Sequence, residues 1–392
     1  MAVTIANADN ALKSIYLDVV SEQLNYNTNP FLAKIKQSTN DVWGKEVRKL
    51  AVVGINGGIG AGTEDGNLPS SVGNEYKQFV APLKNLYGTI EISDKAVRAS
   101  ENNAGAFVNL LNAEMDGLVK ASSFNLDRML FGNGTGILAT IVNIDRGCLY
   151  LDSTKNLAEG MVLDFFQPTG QIISSICGRK VSNVNRAEKY IEVTGDYIDL
   201  TTLPQGSTIT IQNSKDKEIT GINALFDDRA YLLYGLNKEE NPWMKPYIKN
   251  YIGEISEIAI QTAIDSIEEN SGSSINFIVC SWGVRRALQK VLAANNRNID
   301  TMELAGGYKA MSYNGIPIVV DRFCPEGTMY LLNTDDFTLH QLCDWQWLAD
   351  DDGKVLKQVA GKPVYTATLV KYAELICSRP NGQGMISGIT EE

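Results

Sequence analysis

Histidine is almost missing from this chain. Its 392 residues hold one, His340, in the run DDFTLHQLCD. A single imidazole excludes an H-E-x-x-H zinc site and any histidine-rich metal centre. As a lone general base it lacks partners, and beside a predicted strand end a structural role is expected. Cysteine is sparse as well. Cys148, Cys177, Cys280, Cys324, Cys343 and Cys377 are scattered with no C-x-x-C pair. That spacing argues against a zinc ribbon or a disulfide framework and for reduced thiols. No apolar run is long enough to predict a transmembrane helix. The opening MAVTIANADNALKSIYLDVV has no basic segment followed by a continuous apolar stretch, so no signal peptide is expected. Basic charge is outweighed, 35 Lys and Arg against 46 Asp and Glu, for a net charge of −11. An acidic chain without a basic block does not grip nucleic acid over its whole surface.

Motifs of chemistry are absent too. There is no G-x-S-x-G, no S-x-x-K and no cysteine near a credible histidine partner. Gly58, Gly60 and Gly62 form G-x-G-x-G rather than G-x-G-x-x-G, with no G-K-[ST] after them, so a nucleotide-phosphate loop is not expected. Asp350, Asp351, Asp352 and Gly353 lack the spacing of a calcium loop and read as a solvated turn. The pairs Asp227-Asp228 and Asp335-Asp336 read as helix caps. Asn133-Gly134-Thr135 matches a glycosylation acceptor, but nothing indicates secretion. No residue is assigned to catalysis, a cofactor or a metal, and an enzyme is not expected.

What the chain does have is one long helical pattern, from Ala104 to the glycine-rich stop at Gly132, Gly134 and Gly136. Phe107, Leu110, Leu111, Met115, Leu118, Val119, Leu126, Met129 and Leu130 recur along one face. Asn102 and Asn103 are candidate N-caps, with Glu101 favouring the positive end of the dipole. Before it, VWGKEVRKLAVV and YKQFVAPLKNLYGTIEIS alternate like the arms of an extended hairpin. Their connection, Gly54 to Gly73, is long, glycine-rich and read as flexible. Loops of that length in compact domains usually have a task.

Residues 1–40 contain an amphipathic segment at Leu12–Leu24, broken at Asn29-Pro30, which reads either as an arm packed onto something larger or as a first helix of the core. Residues 141–218 are dense in short strands (CLYLD, MVLDFF, IISSIC, GRKVSNV, YIEVTG, STITIQN), as in a small barrel or sandwich. Residues 245–340 alternate helix and strand. A helix is expected over Ile252–Glu269, with Ile255, Ile258, Ala259, Thr262 and Ile267 on its apolar side. INFIVC reads as a buried strand carrying Cys280. Ser281 should cap a helix bearing Val284, Ala287, Leu288, Val291 and Leu292. Residues 346–392 return to strands, with Asp352-Gly353 as a hairpin turn.

The order of these parts resembles the tailed-phage major capsid proteins with the Hong Kong 97-type fold. The segments YNGIPIVVDRFCPEGTMYLLNTDDFTL (313–339), YAELICSRPNGQGMISGI (372–389) and EITGINALFDDRAYLLYGLNKEENPWMKP (218–246) also look like pieces of that family. The resemblance implies an α+β fold with an N-terminal arm (1–40), an E-loop hairpin with P-domain strands (41–98), a P-domain spine helix (99–140), an inserted small all-β domain (141–218), a crossover and α/β A-domain (219–345), and strands returning to the P-domain (346–392). It implies a structural protein that assembles as pentamers and hexamers into an icosahedral head around double-stranded DNA, without sequence-specific binding and without a membrane.

The implied location is the virion capsid, assembled in the host bacterial cytoplasm. The implied partners are a scaffolding protein, a portal and a decoration protein. A fused scaffolding leader is not expected, because no long charged helical segment precedes the hairpin. The implied assembly contact is the hairpin tip: Gly54, Ile55, Asn56, Gly57, Gly58, Ile59, Gly60 and Gly62. The alternatives are an encapsulin-like compartment shell, or a surface or tail-associated binding protein that uses the β-rich unit.

Overall fold

The computed structural model describes residues 29–95, 104–229, 231–294, 301–304, 308–349 and 353–392, and over 104–113 it describes the backbone alone. The amphipathic arm segment Leu12–Leu24, the cap candidates Glu101, Asn102 and Asn103, and Asp350–Asp352 lie outside the described residues. So do the side chains of Phe107, Leu110 and Leu111.

The longest element is the helix Ala104–Leu130, of 27 residues. At about 1.5 Å per residue it is a rod of about 40 Å. Along its second half Met115, Val119, Leu126, Met129 and Leu130 are buried, at the spacing of one helical face. Leu118 is half-buried against the same cluster. The helix stops where the N–H of Gly132 turns back to the carbonyl of Met129 at 2.9 Å.

This helix packs on a five-stranded sheet. Its strands are Lys36–Ser38, Phe337–Trp347, Val364–Cys377 and Lys357–Gln358, with Lys84–Ser93 also paired to Val364–Cys377. Gly88 explains the close approach of helix and sheet. A Cβ there would lie 2.8 Å from Leu118 Cδ1.

A seven-stranded sheet forms the second layer system, in the order Tyr247–Gly253, Gly384–Ile389, Met329–Leu332, Phe277–Cys280, Ile316–Val320, Tyr308–Tyr313 and Thr301–Leu304. Its central strands are apolar throughout because both faces are covered. Phe277, Val279, Val319, Tyr330 and Leu332 face the core shared with the long helix. Ile278, Cys280, Ile318, Met329 and Leu331 face a second core. That core is roofed by the helices Glu257–Ser271 and Trp282–Ala294. Cys280 is fully buried, and burial pushes its thiol up to about 12, so it is a packing residue rather than a nucleophile.

Between the long helix and this sheet the chain makes a closed six-stranded barrel. The order is Tyr190–Val193, Cys148–Leu151, Ile137–Asp145, Thr208–Ile211, Val162–Phe166 and Arg179–Asn185. It has its own core, including Leu149, Leu157, Leu163, Phe165, Ile191 and Ile209. Closure leaves no free strand edge.

Several expectations need correction. The second hairpin arm is two strands, Glu75–Pro82 and Lys84–Ser93, in different sheets. Pro82 cannot donate to a ladder, and the chain switches sheets there. The helix expected from Ile252 begins at Glu257, because Ser256 accepts from the Ala259 N–H and caps it. Residues Tyr247–Gly253 instead pair in parallel with Gly384–Ile389. The buried face is Ile260, Ala263, Ile264 and Ile267, while Ile258 is exposed.

IISSIC is a turn-rich connection with a single bridge from Ile172 to Phe166, not a strand. His340 lies inside the strand Phe337–Trp347 rather than at its end. Asp227 ends a helix rather than starting one, and Asn333, not an aspartate, caps the turn at Asp335-Asp336. The Ser281 cap is as expected, accepting from the Val284 N–H at 3.4 Å.

Candidate assembly surface

The strands Glu46–Val53 and Glu75–Pro82 pair without interruption from Glu46↔Pro82 to Val53↔Glu75. The base of this hairpin is part of the core. Val47, Phe79 and Ala81 are buried. The Phe79 ring packs on Tyr234 at 5.5 Å and on Trp243 at 5.7 Å. The Val80 N–H donates to the Tyr234 carbonyl at 2.9 Å, and the Leu83 N–H to that of Lys45 at 3.0 Å.

Further out the environment reverses. Leu50 is 61% exposed, Val52 59% and its cross-strand partner Tyr76 53%. These side chains share one face by the two-residue period. Ion pairs between Arg48 and Glu46 and between Lys77 and Glu75 sit in solvent, where they contribute little to stability.

Gly54, Ile55, Asn56, Gly57, Gly58, Ile59, Gly60 and Gly62 all lie in the loop that joins the two strands. The loop is not an open coil. Its limbs lie side by side: a Cβ on Gly57 would be 3.5 Å from Val72 Cβ, and one on Gly60 would be 3.1 Å from Pro69. A turn closes it, with the Gly66 N–H donating to the Thr63 carbonyl at 3.1 Å. Asn56 Oδ1 accepts from the Gly58 N–H at 2.9 Å, and Gly54 has φ +70°, a conformation that favours glycine. Ile55 is 84% exposed, Ile59 77% and Leu68 90%. The structure therefore brings the glycines of the tip together with Pro69 and Val72 and leaves the isoleucines in solvent.

Sequence reasoning missed Leu50, Val52 and Tyr76 as part of this surface. Their signal is the alternation itself, because Leu50 and Val52 fall on one face, and among the described residues that face stays exposed. It also missed the turn Thr63–Gly66, which the residues TEDG carry.

Beneath the hairpin an open groove of about 660 Å³ runs between Lys84–Thr89, the helix residues Ser122–Met129 and the barrel exit at 211–218. Of its lining residues Glu218 is part of a set of buried charges around the end of the long helix. Arg128 and Glu218 form a two-point ion pair. Glu374, pushed up to about 7 by burial, accepts from the Thr220 N–H at 2.7 Å. Lys238 Nζ donates to the carbonyls of Ala224, Leu225 and Asp227 and so closes the C-terminal end of the helix Ile222–Phe226. Asn133, the glycosylation candidate, accepts from the N–H and hydroxyl of Thr135. Among the described residues no cluster of histidine, cysteine and carboxylates could hold a metal, and no helix is long and apolar enough to cross a membrane.

No protein-family model matches the chain, and no curated protein matches it. Solved structures do. The capsid asymmetric unit of cyanophage A-1(L) is similar over 93% of this chain and 93% of that chain, with a TM-score of 0.58 at 14% identity. The chain has the fold of a phage capsid subunit. The holo-SrpI encapsulin complex of Synechococcus elongatus is 9% identical over 95% of each chain, with a TM-score of 0.46. The capsid of a native GTA particle is 12% identical over 92% of this chain and 90% of that one, with a TM-score of 0.45.

Proposed function

We propose that this protein is a shell-forming structural subunit, the major capsid protein of a tailed phage. One observation carries the reading: the hairpin is rooted in the core at Val47 and Phe79 and presents Leu50, Val52, Tyr76, Ile55, Ile59 and Leu68 to solvent. A lone subunit gains nothing from an exposed apolar face of that extent, whereas a neighbouring copy can bury it. In this reading the hairpin is the E-loop and its tip, Gly54–Gly62, is the contact. The long helix with the five-stranded sheet is the P-domain, the seven-stranded sheet is the A-domain, and the barrel is an insertion. The subunits assemble as pentamers and hexamers around double-stranded DNA, in the virion head, with separate scaffolding, portal and decoration partners.

Assembly tests this directly. Concentrated protein, with its scaffolding partner co-expressed, should give pentamers, hexamers or closed shells by light scattering and negative-stain microscopy. A persistent monomer under those conditions overturns the reading.

A further inference from the structure

The one histidine is buried where its charged form is disfavoured. His340 is 2% exposed, and neither ring nitrogen has a hydrogen-bond partner among the described residues. An imidazole always carries at least one N–H donor and, when neutral, one acceptor. Burying both unsatisfied is already unfavourable, and burying the cation is far more so.

Its surroundings connect the sheet to the hairpin. His340 stands between Ser38 on the parallel neighbour and Glu374 on the antiparallel one. The Ser38 side is a strand of only three residues. It leads into Asp41, whose carboxylate accepts from the Ser38 hydroxyl at 3.1 Å, and then into the hairpin at Glu46. Two charged groups act on the imidazole from that side. Lys49, on the hairpin strand, opposes its protonation, and Asp41 favours it. Glu374 on the other side is engaged by the N–H groups of Thr220 and Leu375.

We propose that His340 is an acid-sensitive latch: neutral, it lets the base of the hairpin close over the sheet, and protonated, it releases the strand Lys36–Ser38 and the hairpin base to admit water. The inference stands on the subunit alone and does not need the capsid reading. Burial and Lys49 both hold the imidazole below its ordinary range. A folded-state value below the unfolded one gives stability that is present above the unfolded value and lost as pH falls through the folded one. The buried carboxylates Asp127, Asp321 and Glu374 are pushed up, so acid favours their folded forms. His340 therefore acts against them, and its effect is local.

Because the chain has one histidine, its resonance needs no assignment. The full-length unassembled chain, labelled in histidine, is titrated by NMR from about pH 7.5 to about pH 4.5, around the ordinary histidine range. Hydrogen exchange of peptides covering 36–53 and 75–82 is followed by mass spectrometry over the same range. The ring should titrate below the ordinary value of about 6.5, and the hairpin-base peptides should lose protection by about tenfold per pH unit in step with it. His340→Gln and His340→Leu should keep their protection. Titration at the ordinary value, or the same loss in both variants, overturns the latch. If those variants do not fold, Lys49→Gln decides: the ring midpoint and the exchange transition should rise together, and a midpoint that moves alone overturns the proposal.

Discussion

Arg128, in the last turn of the long helix, and Glu218, on the chain leaving the barrel, meet through two hydrogen bonds of 2.8 and 2.5 Å although 90 residues separate them. Both side chains are 4% exposed. A fork-to-fork pair of this kind fixes direction as well as distance. It locks the helix end to the segment on which the barrel returns. Gly221, three residues on, lies so close to the carbonyls of Met129, Leu130 and Gly132 that a Cβ has no room.

Breaking this pair from one side should be expensive. Arg128→Leu leaves a buried carboxylate unpaired, and Glu218→Leu leaves a buried guanidinium unpaired. Each should lower the unfolding free energy by about 3–5 kcal/mol, while Arg128→Leu with Glu218→Leu should lose less than either alone. Urea denaturation of the three variants measures this. Additive losses would show that the two side chains act independently.

A second buried charge group sets a pH dependence. Asp127, on the helix, is pushed up to about 7 by burial and by the negative charge of Asp321. Asp321 is itself pushed up to about 6, mainly by burial. Arg322 lies over the Phe124 ring at 4.7 Å and opposes both shifts. The two carboxyls titrate as a pair. Their folded values stand above the ordinary value of about 3.9. Their contribution is therefore complete below that value and is lost as pH rises through 6 and 7. Asp127→Asn should flatten the fall in stability between about pH 4 and about pH 7. Unfolding free energies of the parent and variant at several pH values test this, and parallel curves would reject the coupling.

The hairpin tip should matter for assembly and not for folding. The loop from Gly54 to Asn74 has no buried residue, and only Gly58 is half-buried. Shortening Asn56–Asn67 to a two-residue Asn-Gly turn removes almost no core contact. The melting temperature of the unassembled subunit should stay nearly unchanged, while particle yield falls sharply. Normal particles from that variant reject the tip as an assembly contact. A collapsed subunit rejects it differently, by making the loop part of a core.

Much of this architecture was legible where a period runs long. The repeat from Met115 to Leu130 marks the helix, and FIVC and MYLL mark strands buried on both faces. Boundaries were less so. Alternation continues through Leu83-Lys84, so nothing but Pro82 signals the change of sheet. YIKNYI carries a helix-like spacing, yet its β-branched and aromatic residues suit the parallel ladder, and Ser256 starts the helix later. The Arg128–Glu218 pair and the isolation of His340 have no local signature. They arise when distant segments meet, and a pattern read along the chain does not contain that information. The hairpin tip was legible as a long glycine-rich loop. Its apolar outer face was not, because alternation alone does not say which face remains unpartnered.

The barrel should be removable, and the structure moves the cut. Sequence strand signals place its start near Val142, but its first strand is Ile137–Asp145. Ile137 pairs with Thr210 and Ala139 with Ile209, so a cut at Val142 strands half a ladder. The ends meet just outside that strand. The Asp216 N–H donates to the Thr135 carbonyl at 2.9 Å, and Gly136 lies so close to the Ser214 carbonyl that a Cβ would be 2.7 Å from its oxygen. A short glycine linker replacing Ile137–Ser214 therefore spans almost no distance and leaves Arg128–Glu218 in place. The barrel's core is its own. Lys155 and Lys189 tie it to the loop after Asp321 by reaching the exposed Glu326, and the Lys155 Nζ donates to the Cys324 carbonyl. Exposed pairs of this kind contribute at most about 1 kcal/mol each. The excised chain should fold with a melting temperature close to the parent's. The same linker placed at Val142–Ser214 should be clearly less stable, because Ile137–Ile141 keeps apolar residues without partners. Thermal unfolding of the two deletions side by side makes the comparison. Equal stability would show that the barrel does not end where its ladder does.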